Sequence, residues 1–318
     1  MALGEFELIS RYFSRPPARR DVLLGVGDDA ALLDVPAGQA LAAATDTLVE
    51  GRHFLPDAPP ESVGHQALAV NLSDLAAMGA EPAWALLALS LPQPDTDWLD
   101  GFARGFHALA ERVRLSLVGG NTVRGPRVVT VQVLGFVPAA LALRRAGARP
   151  GDVLYASGTL GDAAAGLELL RAGRAADVDS PLVRRYRFAE PRLALGMALR
   201  GVASAAMDVS DGLLGDLDKL CTASGVGAIV HLEKLPLSPA LRANFDAAQA
   251  ERFALGGGDD YELVFTVPVA AAPELETSLG STGRITRIGE IVTGHGVRCH
   301  RAGQTVEPGI AGYDHFAG

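Results

Sequence analysis

The chain alternates short apolar runs of strand length with stretches of helical period. Leu41–Thr45 (LAAAT) and Trp84–Leu91 (WALLALSL) read as buried strands, and Val128–Val137 (VVTVQVLGFV) is the richest in β-branched residues. Between them, Gly64–Ala80 reads as a helix stopped by Gly79 and, further on, Pro82. Across Asp97–Arg114, Trp98, Phe102, Phe106, Leu109 and Val113 recur at three- and four-residue spacing, which gives a helix with one buried face. A Gly/Pro/Arg-rich stretch, Pro138–Asp152, then precedes a second alternation. It has a strand at Val153–Ala156, a helix at Asp162–Leu170 and strands at Tyr261–Val267 and Arg284–Val292. A further helix is expected over Asp211–Ala223, capped by Ser210 and closed by Gly225. The pattern predicts an α/β protein in two domains, residues 1–137 and 138–318.

With 318 residues and a mean hydropathy of +0.20, such a chain has ample material for two cores. No apolar run approaches the length of a membrane span and the N-terminus lacks the form of a signal peptide, so a soluble cytoplasmic protein is expected. Cys221 and Cys299 are too far apart in sequence to suggest a disulfide framework or a cysteine-built metal site. The net charge is −9, and only Lys219 and Lys234 among the 28 basic residues are lysines. No basic stripe with interleaved aromatics is present, which argues against a nucleic-acid partner.

The chemistry resides in six short polar segments: Gly25–Ala30 (GVGDDA), Thr45–Gly51 (TDTLVEG), Asn71–Asp74 (NLSD), Gly119–Thr122 (GGNT), Asp208–Gly212 (DVSDG) and Gly256–Glu262 (GGGDDYE). Any one of them is ordinary turn chemistry, since Asp tolerates and caps tight turns. As a set they differ, because their aspartates interrupt strongly apolar runs. Two carboxylates 4 Å apart repel by about 4 kcal/mol at an effective dielectric near 20, so clustering them calls for a cation. Oxygen donors without His or Cys suit Mg²⁺, Mn²⁺ or Ca²⁺, and the spacing of a calcium-binding EF-hand is absent. A carboxylate-rich Mg²⁺ site suggests nucleotide phosphates as the remaining ligands. There is no Walker A loop and no protein-kinase motif set. Gly25, Gly27 and Ala30 match a dinucleotide fingerprint, but Asp28 and Asp29 would face the pyrophosphate. Gly158–Asp162 (GTLGD) reads either as an anion-binding helix start or as an ordinary strand-to-helix turn.

Read in order, GEF, GVGDDAALL, TDTLVEGRHF, ALAVNLSDLAAMGA, LVGGNTVRGP, RRAGARPGD, GTLGDAAAGL, DVSDGL, GGDDYEL and GYDHF closely resemble the bacterial thiamine-monophosphate kinases, from residue 4 to residue 316. NLSDLAAMGA and GGDDYEL alone would indicate the wider superfamily of aminoimidazole ribonucleotide synthetase. The resemblance implies that superfamily's two-domain architecture, an N-terminal domain that pairs in a homodimer, and ATP bound between the domains. It implies Mg²⁺-dependent in-line transfer of the ATP γ-phosphoryl group to thiamine monophosphate, with several Mg²⁺ ions and no covalent nucleophile.

Position by position, the resemblance makes Asp29, Thr45, Asp46, Asp74, Asn121, Asp208 and Asp211 metal ligands. It makes Gly120, Asn121, Arg145 and Ser210 ATP contacts, and His53, Asp259 and Tyr313 substrate contacts. Two positions depart from the family pattern: Asn121 stands where Asp is common, and Gly256 and Asp259 stand where Ser and Glu are common. Asn121 removes one negative charge from a metal position, which should weaken that metal's binding. A sister enzyme activating another substrate with ATP, or a non-catalytic nucleotide-binding regulator, remains open on the sequence alone.

Overall fold

The computed structural model describes residues 4–174, 180–279 and 285–307, which divide into two compact units. Of these, residues 4–75 and 80–140 form the first; residues 76–79, 141–174, 180–279 and 285–307 form the second.

The first unit runs α1 (Glu5–Tyr12), β1 (Val22–Leu24), β2 (Leu32–Leu33), β3 (Gln39–Val49), α2 (Pro60–Ala77, its last two residues belonging to the second unit), β4 (Glu81–Leu91), α3 (Thr96–Arg112), β5 (Ser116–Arg124) and β6 (Val128–Pro138). Four strands form one sheet in the order β3-β6-β4-β5, with β6 antiparallel to both neighbours and β4 parallel to β5. A parallel pair needs a crossover, and α3 supplies it. Its start is capped by Asp95, which accepts the Trp98 N–H at 3.1 Å.

One face of the sheet is covered. Val129, Val131 and Val133 of β6 are fully buried there, and Leu75 of α2 lies against Gly135 on the same face. Residues 62–73 of α2 are all buried, which is why the sequence shows no polar stripe along this helix. Helices α2 and α3 cross closely through glycines. A Cβ on Gly64 would lie 2.0 Å from the Phe102 carbonyl oxygen, and one on Gly105 would lie 1.9 Å from that of Glu61. The opposite face carries Thr45, Thr130, Gln132, Leu134, Leu86, Ala88 and Asn121 and is open, with Leu41 43% and Val123 51% exposed.

The second unit runs β7 (Val153–Ser157), α4 (Asp162–Arg171), α5 (Pro181–Arg187), α6 (Leu193–Ala198), β8 (Ala205–Val209), α7 (Leu213–Ser224), β9 (Gly227–His231), α8 (Pro239–Asn244), α9 (Ala247–Gly256), β10 (Glu262–Val267), α10 (Ala272–Leu279), β11 (Ile285–Val292), β12 (Gly296–Arg301) and β13 (Gln304–Val306). Its seven-stranded sheet has the order β13-β12-β9-β11-β7-β10-β8, with only β12 and β9 parallel. Every residue of β7, β8 and β10 is buried. Leu213, Leu217 and Leu255 pack with Leu154, Met207 and Val264 in one core cluster, while Leu195 and Leu275 pack with Tyr155, Ala206 and Phe265 in another. Burial on both sides explains why these strands read as unbroken apolar runs.

Two local expectations change. The helix after β8 begins at Leu213 and not Asp211; its N-cap is Gly212, at φ 107°, and Ser210 makes no capping bond. The strand expected from Tyr261 begins at Glu262, because Tyr261 has left-handed backbone at φ 49°. Gly225 does close the helix in the left-handed region.

Candidate functional site

In the first unit a groove of about 1030 Å³ lies on the open sheet face. It brings together Asp29 of the loop after β1, Thr45 of β3, and Gly120 and Asn121 of β5, beside Gln132 and Thr130. Gly120 has a structural reason to be glycine. At φ 151° its Cβ would lie 1.8 Å from the Leu87 carbonyl oxygen on the paired strand. Just before it the β4–β5 register shifts between Ala85 and Leu86, a bulge that resets which residues face the groove. The Thr45 hydroxyl donates to the Val131 carbonyl at 3.1 Å, which orients its oxygen lone pairs. Asp28 accepts the Asp29 N–H at 2.8 Å, a turn bond that leaves both residues exposed.

The pleat of β3 separates two expected metal ligands. Thr45 faces the groove, whereas Asp46, exposed and paired with Val131, points to the other side of the sheet. The half-buried Asp74 is carried by α2 itself. The groove therefore gathers Asp29, Thr45, Gly120 and Asn121 but neither Asp46 nor Asp74. His53 acts locally: its Nδ1 accepts the Val49 N–H at 3.1 Å, and the Val49 carbonyl receives the Arg52 and His53 N–H groups. The ring thus closes the turn at the end of β3.

In the second unit Asp208 is buried in β8, and the loop beyond it carries Ser210 and Asp211. This loop is organised by Asp216, a fully buried carboxylate on α7. Its Oδ2 accepts the N–H groups of Ser210 and Asp211, both at 2.9 Å. Phosphate binding through the Ser210 N–H, expected from a helix start there, is therefore pre-empted. Lys219 bridges Asp211 Oδ2 at 2.7 Å and Asp216 Oδ1 at 2.9 Å. Burial works against the Lys219 charge, but its bonds to the two carboxylates outweigh that and raise its pKa. Asp211, expected as a metal ligand, is thus held by an ammonium group.

Asp259 adjoins the same loop. Its N–H donates to the Ser210 carbonyl at 2.9 Å, its carboxylate accepts the Tyr261 hydroxyl at 3.1 Å, and its backbone is left-handed at φ 66°. Burial pushes its pKa up to about 6; the Tyr261 hydrogen bond opposes this, the Asp211 charge adds to it and Arg171 opposes it. Burial, followed by the Asp259 charge, also pushes the Tyr186 phenol up to about 12. The GTLGD turn is not open to an external anion, because Asp260 takes the Gly161 N–H at 2.6 Å and the Ala163 N–H at 3.3 Å. Arg145 is exposed, its loop tied by a Ser224 hydroxyl that donates to its carbonyl at 3.0 Å. Tyr313 lies outside the described residues.

Among the described residues no three His, Cys, Asp or Glu side chains converge as a ready-made metal cage. Sequence reasoning missed Asp216 and Lys219, although a lysine was rare enough in this chain to notice. It also missed a buried cluster around Glu262, in which Arg185, Arg192 and Ser157 all bond one carboxylate. Glu262 lies within GGDDYEL, but the arginines lie in RRYRFAEPR, which carries no recognisable spacing.

Family models for AIR synthase related proteins match the chain twice, the N-terminal domain over residues 27–137 and the C-terminal domain over 149–301. A thiamine-monophosphate kinase of Salmonella typhimurium is 49% identical, covering 100% of this chain and 99% of its own. Among solved structures, the thiamine-monophosphate kinase of Stenotrophomonas maltophilia K279a is 46% identical with a TM-score of 0.84, over 91% of this chain and 93% of that one. AaThiL complexed with AMPPCP and TMP is 35% identical with a TM-score of 0.79, over 89% of each chain.

Proposed function

The chain belongs to the AIR synthase related family, on its thiamine-monophosphate kinase branch, and from this premise we propose how its residues carry out the transfer. The activity is phosphotransfer from ATP to thiamine monophosphate, giving thiamine diphosphate and ADP. The bond from the γ-phosphorus to the β,γ-bridging oxygen breaks, and a bond from the γ-phosphorus to a phosphate oxygen of thiamine monophosphate forms. A phosphate monoester is already largely ionised at neutral pH (second pKa about 6), so the attacking oxygen needs no general base. The barrier is charge: two phosphate groups must approach in line, and positioning plus neutralisation is what the protein contributes.

In this reading Gly120, Asn121, Arg145 and the Ser210 hydroxyl hold ATP, the Ser210 N–H being taken by Asp216, while Asp259, His53 and Tyr313 stand on the substrate side. The observation that carries it is the groove with Asp29, Thr45, Gly120 and Asn121 on one sheet face, because these are backbone and oxygen donors suited to phosphate and a hard cation. Asp29, Thr45 and Asn121 of the groove would hold Mg²⁺, and Asp46, Asp74 and Asp208 would be ligands of further ions; such an ion would supply positive charge against that of the phosphates. The all-oxygen donor set fits that ion; Asp211, held by Lys219, is the member that fits least. Leu41 and Val123, exposed on the two outer strands and outside the lining of the groove, support a homodimer formed through these strands.

The test is ADP release measured with purified protein, Mg²⁺ and ATP, with and without thiamine monophosphate, and the product identified by chromatography. Thiamine-monophosphate-dependent release with thiamine diphosphate formed is expected. Turnover with a different acceptor and none with thiamine monophosphate would overturn it.

A further inference from the structure

Asp259 and Tyr261 both have left-handed backbone, at φ 66° and 49°, and neither is glycine. Asp tolerates that region but an aromatic side chain resists it, so something must hold the turn at Tyr261. Its middle residue, Asp260, is buried and anchored at both ends. Its carboxylate takes N–H groups from the start of α4, and its carbonyl accepts Arg185 Nη2 at 2.5 Å. The same Nη2 reaches Glu262 Oε1 at 2.5 Å.

Glu262 is fully buried, and Arg192 Nε and Nη2 and the Ser157 hydroxyl complete its shell. Arg185 therefore bridges the strained turn to the first residue of β10. On its other side the turn is stitched to the loop of Ser210 and Asp211. Asp259 N–H donates to the Ser210 carbonyl and Tyr261 N–H to that of Val209, both at 2.9 Å.

We infer that Arg185 is a positioning residue for thiamine monophosphate, acting by locking the Asp259–Tyr261 turn so that the Asp259 carboxylate keeps its place. The inference rests on Asp259 being a substrate-side residue. A guanidinium places one nitrogen on two acceptors while its plane stays fixed; an ammonium on a shorter, flexible stem would hold them with less fixed geometry. Arg185 points to the turn backbone and to Glu262, and among the described residues its Nη1 is buried without a partner.

The experiment compares Arg185→Lys and Asp259→Asn with wild type by steady-state kinetics in each substrate, with thermal melting alongside. Both variants should raise KM for thiamine monophosphate at least about tenfold, with KM for ATP within about twofold of wild type. A purely structural role for Arg185 would lower the melting temperature and leave the two KM values in their wild-type ratio, and that result overturns the inference. If Asp259→Asn leaves KM for thiamine monophosphate unchanged, the substrate-side reading of Asp259 is the part that fails, and the inference fails with it. Should Arg185→Lys not fold, Glu262→Gln loosens the same bridge from its other end and is judged by the same KM ratio.

Discussion

Replacing Arg192 with alanine should destabilise the second unit through the charge it leaves behind. Glu262 is 0% exposed and its carboxylate is met by Arg192 Nε at 2.6 Å and Nη2 at 2.5 Å, by Arg185 at 2.5 Å and by Ser157 at 2.5 Å. Removing Arg192 takes away two of these four bonds and one of the two cations, and because Arg192 is itself 33% exposed it also lets some water approach, which limits the loss. Breaking a buried pair in this way costs about 3–5 kcal/mol, and the surviving Arg185 bond places the expectation near the lower end, about 3 kcal/mol. For a unit of this size each kcal/mol shifts the midpoint by about 2–4 °C, so a drop of roughly 6–12 °C is expected by differential scanning calorimetry. The cause is separable from lost packing. In Arg192→Ala/Glu262→Gln the orphaned charge is gone, so the double variant should recover at least about half of the loss. A melting temperature within about 2 °C of wild type for Arg192→Ala, or a double variant less stable than the single, would refute the reasoning.

Three further outcomes are expected. Lys219 is 45% exposed, so its hold on Asp211 is worth about 0.2–1 kcal/mol; Lys219→Met should lower the Mg²⁺ concentration for half-maximal turnover by up to about fivefold and tighten Mn²⁺ binding seen by electron paramagnetic resonance, and unchanged binding would show that Asp211 and a metal do not compete. The folded-state pKa of Asp259, about 6, lies above its unfolded value, so the native state holds the extra proton and this group's contribution to stability is greatest below the unfolded value and lost as pH rises through about 6. Asp259→Asn should therefore match wild type near pH 4 and exceed it by up to about 3 kcal/mol in urea unfolding near pH 7.5; no difference between the two pH values would contradict the burial argument. Leu41→Glu puts a charge on the open sheet face, and light scattering should show it at the 33.0 kDa mass of one chain where the wild type gives twice that, an expectation that a monomeric wild type would defeat.

Much of the fold was legible because burial writes itself into periodicity. The three- and four-residue spacing of Trp98, Phe102, Phe106 and Leu109 marked α3, and the apolar runs at 84–91 and 128–137 marked β4 and β6. The short elements α5, α6 and α8 escaped because six or seven residues carry too few turns to show a period. Ser210 was misread as a cap since serine ahead of an apolar run is a general helix signal. The Asp216 carboxylate, six residues later, had already claimed its N–H.

The residue types of the site belonged to the sequence from the start: aspartates set in apolar runs, without His or Cys clusters, imply oxygen ligation of a hard cation wherever they come to lie. Their partners did not. Whether Thr45 and Asp46 share a face is decided by the strand pleat, and whether Asp211 faces a metal or Lys219 by a turn of α7. How the backbone next to Asp259 is tied down is decided by a guanidinium 75 positions before Asp260 in the chain. These are contacts between side chains distant or out of period in sequence, with directions set by packing, and no local pattern encodes a direction.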